Sequence, residues 1–139
     1  MKSYTDLKQS KKLAKILPLE STDMCLTFVN NVWNPVWGKA DDIYQLQKDC
    51  YEPDYTKDNY VDIDEFEPKV VPSWSLAALL SVLPILNNRS PVTSKTFDGK
   101  YRVLYHSTGY EKSILTSDYI NPVDACYEMV LKLHELNLL

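Results

Sequence analysis

The sequence predicts an α+β fold in which a central buried helix and a C-terminal helix pack on a small antiparallel sheet. Three observations predict it. The run from Pro72 to Pro84 is the most apolar stretch of the chain and is bracketed by prolines. Residues 92–118 hold three short strand patterns separated by turn residues. From Asn121 onward the chain reads as a capped amphipathic helix.

The proline-bracketed run is taken first. A proline inside a helix removes a donor and clashes with the preceding turn, so Pro72 and Pro84 set its limits. Ser73 is the expected N-cap. Trp74, Leu76, Leu79, Leu80 and Leu83 form one face, and Ala77, Ala78 and Val82 leave the rest nearly apolar. A helix apolar all round is either buried or spans a membrane. This one is well short of the roughly 20 residues a bilayer needs, so it is expected to be buried.

The other elements follow in order. Residues 5–17 predict a first helix, with Thr5 as cap and Pro18 as terminator. Leu7, Leu13, Ala14 and Leu17 give its apolar stripe, and Lys8, Lys11, Lys12 and Lys15 give a basic face. Residues 24–33 have the β-branched and aromatic content of a strand. Asn34-Pro35 is expected to turn the chain. A short helix is predicted at 41–50, with Ile43, Leu46 and Cys50 inward. Residues 51–71 then read as an acidic, aromatic loop, a length that is often functional. Val92–Phe97, Lys100–His106 and Glu111–Asp118 predict a meander, joined by an Asp98-Gly99 two-residue turn and a Thr108-Gly109 turn. In the second strand Tyr101, Val103 and Tyr105 share a face. In the last helix Asn121 is the cap, Pro122 the first helical residue, and Asp124 sits near the positive end of the dipole. Val123, Cys126, Tyr127, Val130, Leu131 and Leu133 face inward. The apolar tail Leu136–Leu139 is expected to dock or to meet a partner.

The 139 residues suit one domain with a core that needs no disulfide or metal. Cys25, Cys50 and Cys126 are odd in number and widely spaced, which predicts reduced thiols in a cytoplasm. No apolar leader or membrane-spanning segment is visible. Net charge is −4, but it is unevenly spread. Residues 41–67 carry ten acidic residues against Lys48 and Lys57, which opposes nucleic-acid binding.

Several stretches resemble a group of small uncharacterised proteins of gut Bacteroidetes and their mobile elements. They are Tyr4-Thr5-Asp6-Leu7, Ser10–Ser21, Trp74–Leu80 with Val82-Leu83-Pro84, Asp98–Tyr101 and Asn121–Met129. The resemblance implies a cytoplasmic accessory role and carries no catalytic residue.

Three functional readings arise. One is a calcium loop over residues 54–65. Its spacing sets Asp54, Thr56, Asp58, Tyr60 (through its carbonyl), Asp62 and Glu65 at the ligand positions of a twelve-residue hand. Asn59 replaces the usual glycine, and Pro53 and Pro68 crowd both flanks. Phe66 would begin the exit helix. The second is an enzyme, but His106 and His134 are the only histidines and no nucleophile or phosphate-binding motif accompanies them. The third, which the sequence favours, is a non-enzymatic protein-interaction domain with no cofactor. Its contact residues are expected to be Tyr55, Tyr60 and Phe66 on the acidic loop and the Trp33/Trp37 corner. The partner is an unidentified protein or a second copy of the chain.

Overall fold

The structure, a computed structural model, describes residues 2–139. The α+β class holds, but the strands form two antiparallel three-stranded sheets. The first holds β1 (Met24–Val29), β2 (Val32–Trp37) and β3 (Val70–Ser73) in the order β2-β1-β3. The second holds β4 (Val92–Lys95), β5 (Tyr101–Tyr105) and β6 (Ile114–Leu115) in the order β4-β5-β6. Among the described residues the α-helices are α1 (Leu7–Leu13), α2 (Ala40–Asp49), α3 (Leu76–Val82) and α4 (Pro122–Glu135). None is long and apolar enough to cross a membrane.

The sequence predicts one small sheet, a three-stranded meander plus the N-terminal strand; instead the N-terminal strand does not join the meander and is the centre of its own sheet. The run at 24–33 folds back on itself at Asn30-Asn31. Both residues have positive φ, 52° and 61°, as a two-residue hairpin turn between twisted strands requires. Asparagine tolerates that conformation, so no glycine is needed. Asn34 and Pro35 accordingly lie within β2, with Pro35 opposite Leu26. A proline is accommodated there because β2 is an edge strand.

Pro72 does not mark a helix start. It lies in β3 opposite Cys25, again on an edge strand. The cap lies two residues beyond the expected one. Ser75, not Ser73, caps α3 by accepting from the Ala78 N–H at 3.2 Å. Trp74 stands before the helix and is wholly buried. α3 has seven residues, with Ala78 and Leu79 buried but Ala77, Leu80 and Ser81 exposed. It is half-covered rather than buried all round, because Trp74 and Leu83, counted towards its apolar girth, fall outside it.

The cap of α1 is Asp6, which accepts from the Gln9 N–H at 2.8 Å while the Gln9 side chain accepts from the Asp6 N–H. Thr5, expected to cap, is buried instead. Its hydroxyl shares hydrogen bonds with Ser10 Oγ (2.8 Å) and Ser73 Oγ (3.1 Å) and accepts from the Trp74 N–H (3.1 Å). The helix stops at Leu13, short of the expected residue 17. Lys8, Lys11, Lys12 and Lys15 are exposed as the pattern predicts. In α2, Ile43 is half-buried but Leu46 is exposed, as is Cys50 at its C-cap.

In the second sheet Val103 and Tyr105 are fully buried and Tyr101 partly so, as the alternation predicts. The turn after β4 runs from Thr96 to Gly99, with the Gly99 N–H donating to Thr96 O at 3.0 Å and Gly99 at φ +81°. It is one residue longer than the expected two-residue turn, so β4 ends at Lys95. The third strand is only Ile114–Leu115. Residues 106–113 leave the sheet as a loop held by Arg89.

Asn121 caps α4 by accepting from the Asp124 N–H at 2.9 Å, and Pro122 opens it. The inward side adds Ala125 and Met129 to Val123, Cys126, Val130 and Leu133; Tyr127 and Leu131 are half-buried. The helix ends with Asn137 at φ +57° and the Leu138 N–H donating to Leu133 O at 2.8 Å, the six-to-one closure of a C-terminal cap. Leu136, Leu138 and Leu139 stay exposed. The main core unites Leu13 and Leu17 with Trp74, Leu79, Leu83, Val103, Tyr105 and the buried face of α4.

Asp124 also ties α4 to the N-terminus. Its Oδ1 accepts from Lys2 Nζ and from Gln9 Nε2, both at 2.7 Å. Burial pushes this carboxyl up, but the bonds from Lys2, Gln9 and Asn121 and the Lys2 charge outweigh it and hold it below the usual aspartate range. A depressed carboxyl stabilises the fold above its unfolded pKa, and the contribution is lost as pH falls through the folded value. Asp124→Ala is therefore expected to cost about 1–3 kcal/mol at neutral pH. In acid denaturation the variant and the parent should converge below the ordinary aspartate range.

Candidate binding groove

The elements meet around one aromatic hollow. The hairpin end of β1 supplies Phe28, the C-terminal end of α2 supplies Gln47 and Cys50, and the flanks of the acidic loop supply Tyr51, Phe66 and Lys69. The hollow measures about 500 Å³ and is open to solvent. Its volume falls within the roughly 300–1,000 Å³ range of ligand sites and has room for more than one side chain.

Local chemistry explains why the loop closes here. Tyr51 and Phe66 stack face to face, 3.8 Å between ring centroids and 8° between planes. This pair brings together the two ends of the acidic segment. The Tyr51 hydroxyl donates to Val61 O at 2.6 Å, pinning the middle of the loop to the same ring. Pro68 is buried and keeps the chain extended as it enters β3. The Phe28 N–H donates to Lys69 O at 3.1 Å and continues the β1–β3 ladder into the groove. Lys69 Nζ lies 5.1 Å from the centre of the Phe28 ring, a cation–π contact. Behind it Phe28 leans on Trp33, 5.2 Å between centroids.

At the rim Glu67 accepts from the Tyr44 hydroxyl and faces Lys48 Nζ at 3.7 Å. The Tyr44 bond, then the Lys48 charge, holds the Glu67 carboxyl below its ordinary value; the same bond raises the Tyr44 phenol. Both groups are solvent-exposed, so the arrangement is a surface clasp of little energetic weight.

The structure divides the sequence-predicted contact residues. Phe66 lines the groove, and Trp33 supports it through Phe28. Trp37 is 69% exposed at the far end of β2, on the same face as Trp33, four residues along. The two tryptophans thus form a row along an edge strand instead of a corner at a turn. Tyr55 and Tyr60 pair with each other, edge to face at 4.9 Å, on the outer part of the loop. Sequence reasoning missed Phe28 and Tyr51. Nothing local marks either, since Tyr51 gains its role only through a stacking partner fifteen residues away.

The calcium-loop residues are not gathered. Asp54 accepts from the Thr56 N–H (3.1 Å) and from the Thr56 hydroxyl (2.5 Å), so two of the six expected ligands bind each other. These bonds hold the Asp54 carboxyl below its ordinary value. Asp62 accepts from the Ile63 N–H at 2.8 Å. Asp58, Tyr60 and Glu65 are exposed. Phe66 begins no exit helix; Pro68 and the pairing of β3 require extended chain there. Among the described residues, no three His, Cys, Asp or Glu side chains converge to hold an ion.

The histidines and cysteines weighed for catalysis lie apart. His106 and His134 are both exposed, on different elements. Cys126 is fully buried, and burial pushes its thiol up to about 12. Cys25 is likewise buried, with its thiol raised by burial. Cys50 alone is exposed, in the groove wall. A thiol-reactive maleimide should therefore add once to the native protein, at Cys50, and to all three cysteines after unfolding, as read by intact mass.

No family model, curated protein or solved structure matches the chain. The class that the fold and site define is an α+β domain carrying an apolar, aromatic surface groove.

Proposed function

We propose that the protein is a non-enzymatic interaction domain, an accessory protein of the cytoplasm, that holds a partner protein in the groove lined by Phe28, Tyr51 and Phe66. The observation that carries this reading is the groove itself: an aromatic hollow open to solvent and rimmed by polar groups. Exposed apolar surface of that kind marks contact sites. Aromatic side chains dominate contact energetics because they bury large area at low entropy cost.

A photo-crosslinker tethered to Cys50 tests this in cells that make the protein. A protein adduct is expected that disappears in the Phe66→Ala variant and persists in Trp37→Ala. Absence of any groove-dependent adduct overturns the proposal. Because Phe66 is only half-buried, the variant should keep its melting temperature within a few degrees.

A further inference from the structure

Resting on that reading, we infer that the occupant of the groove is a basic peptide segment: an apolar or aromatic anchor residue flanked by lysine or arginine. Residues 48–69 contain eight acidic residues against Lys48, Lys57 and Lys69, a charge of −5 on the segment that supplies Cys50, Tyr51, Phe66 and Lys69 to the hollow. Among the described residues only Glu67 of these eight has an ion-pair partner, Lys48. The other seven project an uncompensated field. Such a field steers and selects a partner of opposite sign.

The rings decide where the partner's charges go. The facing sides of Tyr51 and Phe66 are spent on each other, and Lys69 already sits over Phe28. The hollow therefore takes the apolar anchor, and the cationic residues on either side of it meet the acidic loop. The chain's own basic face does not serve: Lys8, Lys11, Lys12 and Lys15 make no ion pair among the described residues.

The test is selection from a phage-displayed library of random peptides on the full-length protein, with counter-selection on the Tyr51→Ala/Phe66→Ala variant. Enriched peptides should carry Lys or Arg on both sides of an aromatic or aliphatic residue. Their affinity, measured by fluorescence anisotropy, should fall about tenfold or more between about 50 mM and about 500 mM salt. The exposed charge reversals Asp58→Lys, Asp62→Lys and Glu65→Lys, combined, should weaken binding about tenfold or more without moving the melting temperature. Groove-dependent peptides that are neutral or acidic, or whose binding ignores salt, overturn the basic-segment inference and leave the interaction reading standing. Failure to enrich any peptide that needs Tyr51 and Phe66 overturns both.

Discussion

Trp74→Ala is expected to destabilise the protein by about 3–5 kcal/mol, the range for deleting a buried aromatic side chain. A domain of this size has roughly 5–15 kcal/mol in total, so the variant should sit close to the unfolding threshold. The size of the effect follows from where Trp74 stands. It links β3 to α3, and none of it is exposed. Its Nε1–H donates to Ser21 Oγ at 2.9 Å, its N–H donates to the Thr5 hydroxyl, and its carbonyl accepts from the Thr5 N–H at 2.9 Å. Truncation leaves a cavity among Leu13, Leu79 and the α4 face, and it strips Ser21 of a donor. Trp74→Phe should cost about 1–3 kcal/mol, retaining most of the buried area. Urea denaturation checks both values. Fluorescence gives a second readout. Trp33 is half-buried and Trp37 largely exposed, so Trp74 supplies the blue-shifted, quencher-protected emission, and Trp74→Phe should remove it.

Trp74 also shows what was legible in the sequence. Its burial follows from the apolar run alone; its position outside the helix does not. Ser73 and Ser75 are equally good caps on sequence, and the choice is made by the β1–β3 register, which draws residues 70–73 into a sheet. Asp23 then fixes the outcome by accepting from the Ser75 N–H at 2.9 Å. The same non-local pairing hides β2. An Asn-Asn turn is as good a hairpin as Asn-Gly once both residues take positive φ, but Asn34-Pro35 nearby is the louder local signal. α4 was readable nearly residue by residue, because its cap, opening proline and stripe are all local. The groove was half legible. Phe66 lies in a stretch whose composition marks an acidic, aromatic loop, whereas Phe28 and Tyr51 become groove residues only when the loop closes through the Tyr51–Phe66 stack. The twelve-residue calcium spacing is a pattern along the sequence, and the structure shows where those residues lie. The sheet pairing beyond Glu65 and the Asp54–Thr56 turn leave no helix after the loop and no gathered ligands.

Arg89→Met should cost about 2–4 kcal/mol, although the sequence places Arg89 in nothing more than a polar turn. That turn is a second Asn-Asn pair, Asn87 at φ +47° and Asn88 at φ +67°, closed by reciprocal bonds between Leu86 and Arg89. It aims the Arg89 guanidinium at the loop of residues 106–113, which takes the first three residues of the expected third strand. Nη1 donates to His106 O (2.9 Å) and Lys112 O (3.0 Å), and Nη2 donates to Glu111 Oε2 (2.6 Å). The Arg89 side chain is only 9% exposed, although its acceptors face solvent, and charge-assisted bonds are the strong ones. The Asn87 amide donates to the other Glu111 oxygen and completes the clasp. Arg89→Lys should recover less than half of the loss, because an ammonium cannot reproduce the planar fork that meets three acceptors at once. Glu111→Gln should cost less, about 1–2 kcal/mol, since the two carbonyl acceptors remain. Limited proteolysis separates a local from a global effect. Arg89→Met should open residues 106–113 to cleavage at denaturant concentrations where the core, read by Trp74 emission, is still folded. If the loop and the core open together, residues 106–113 are part of the cooperative unit, and the clasp acts on the whole fold.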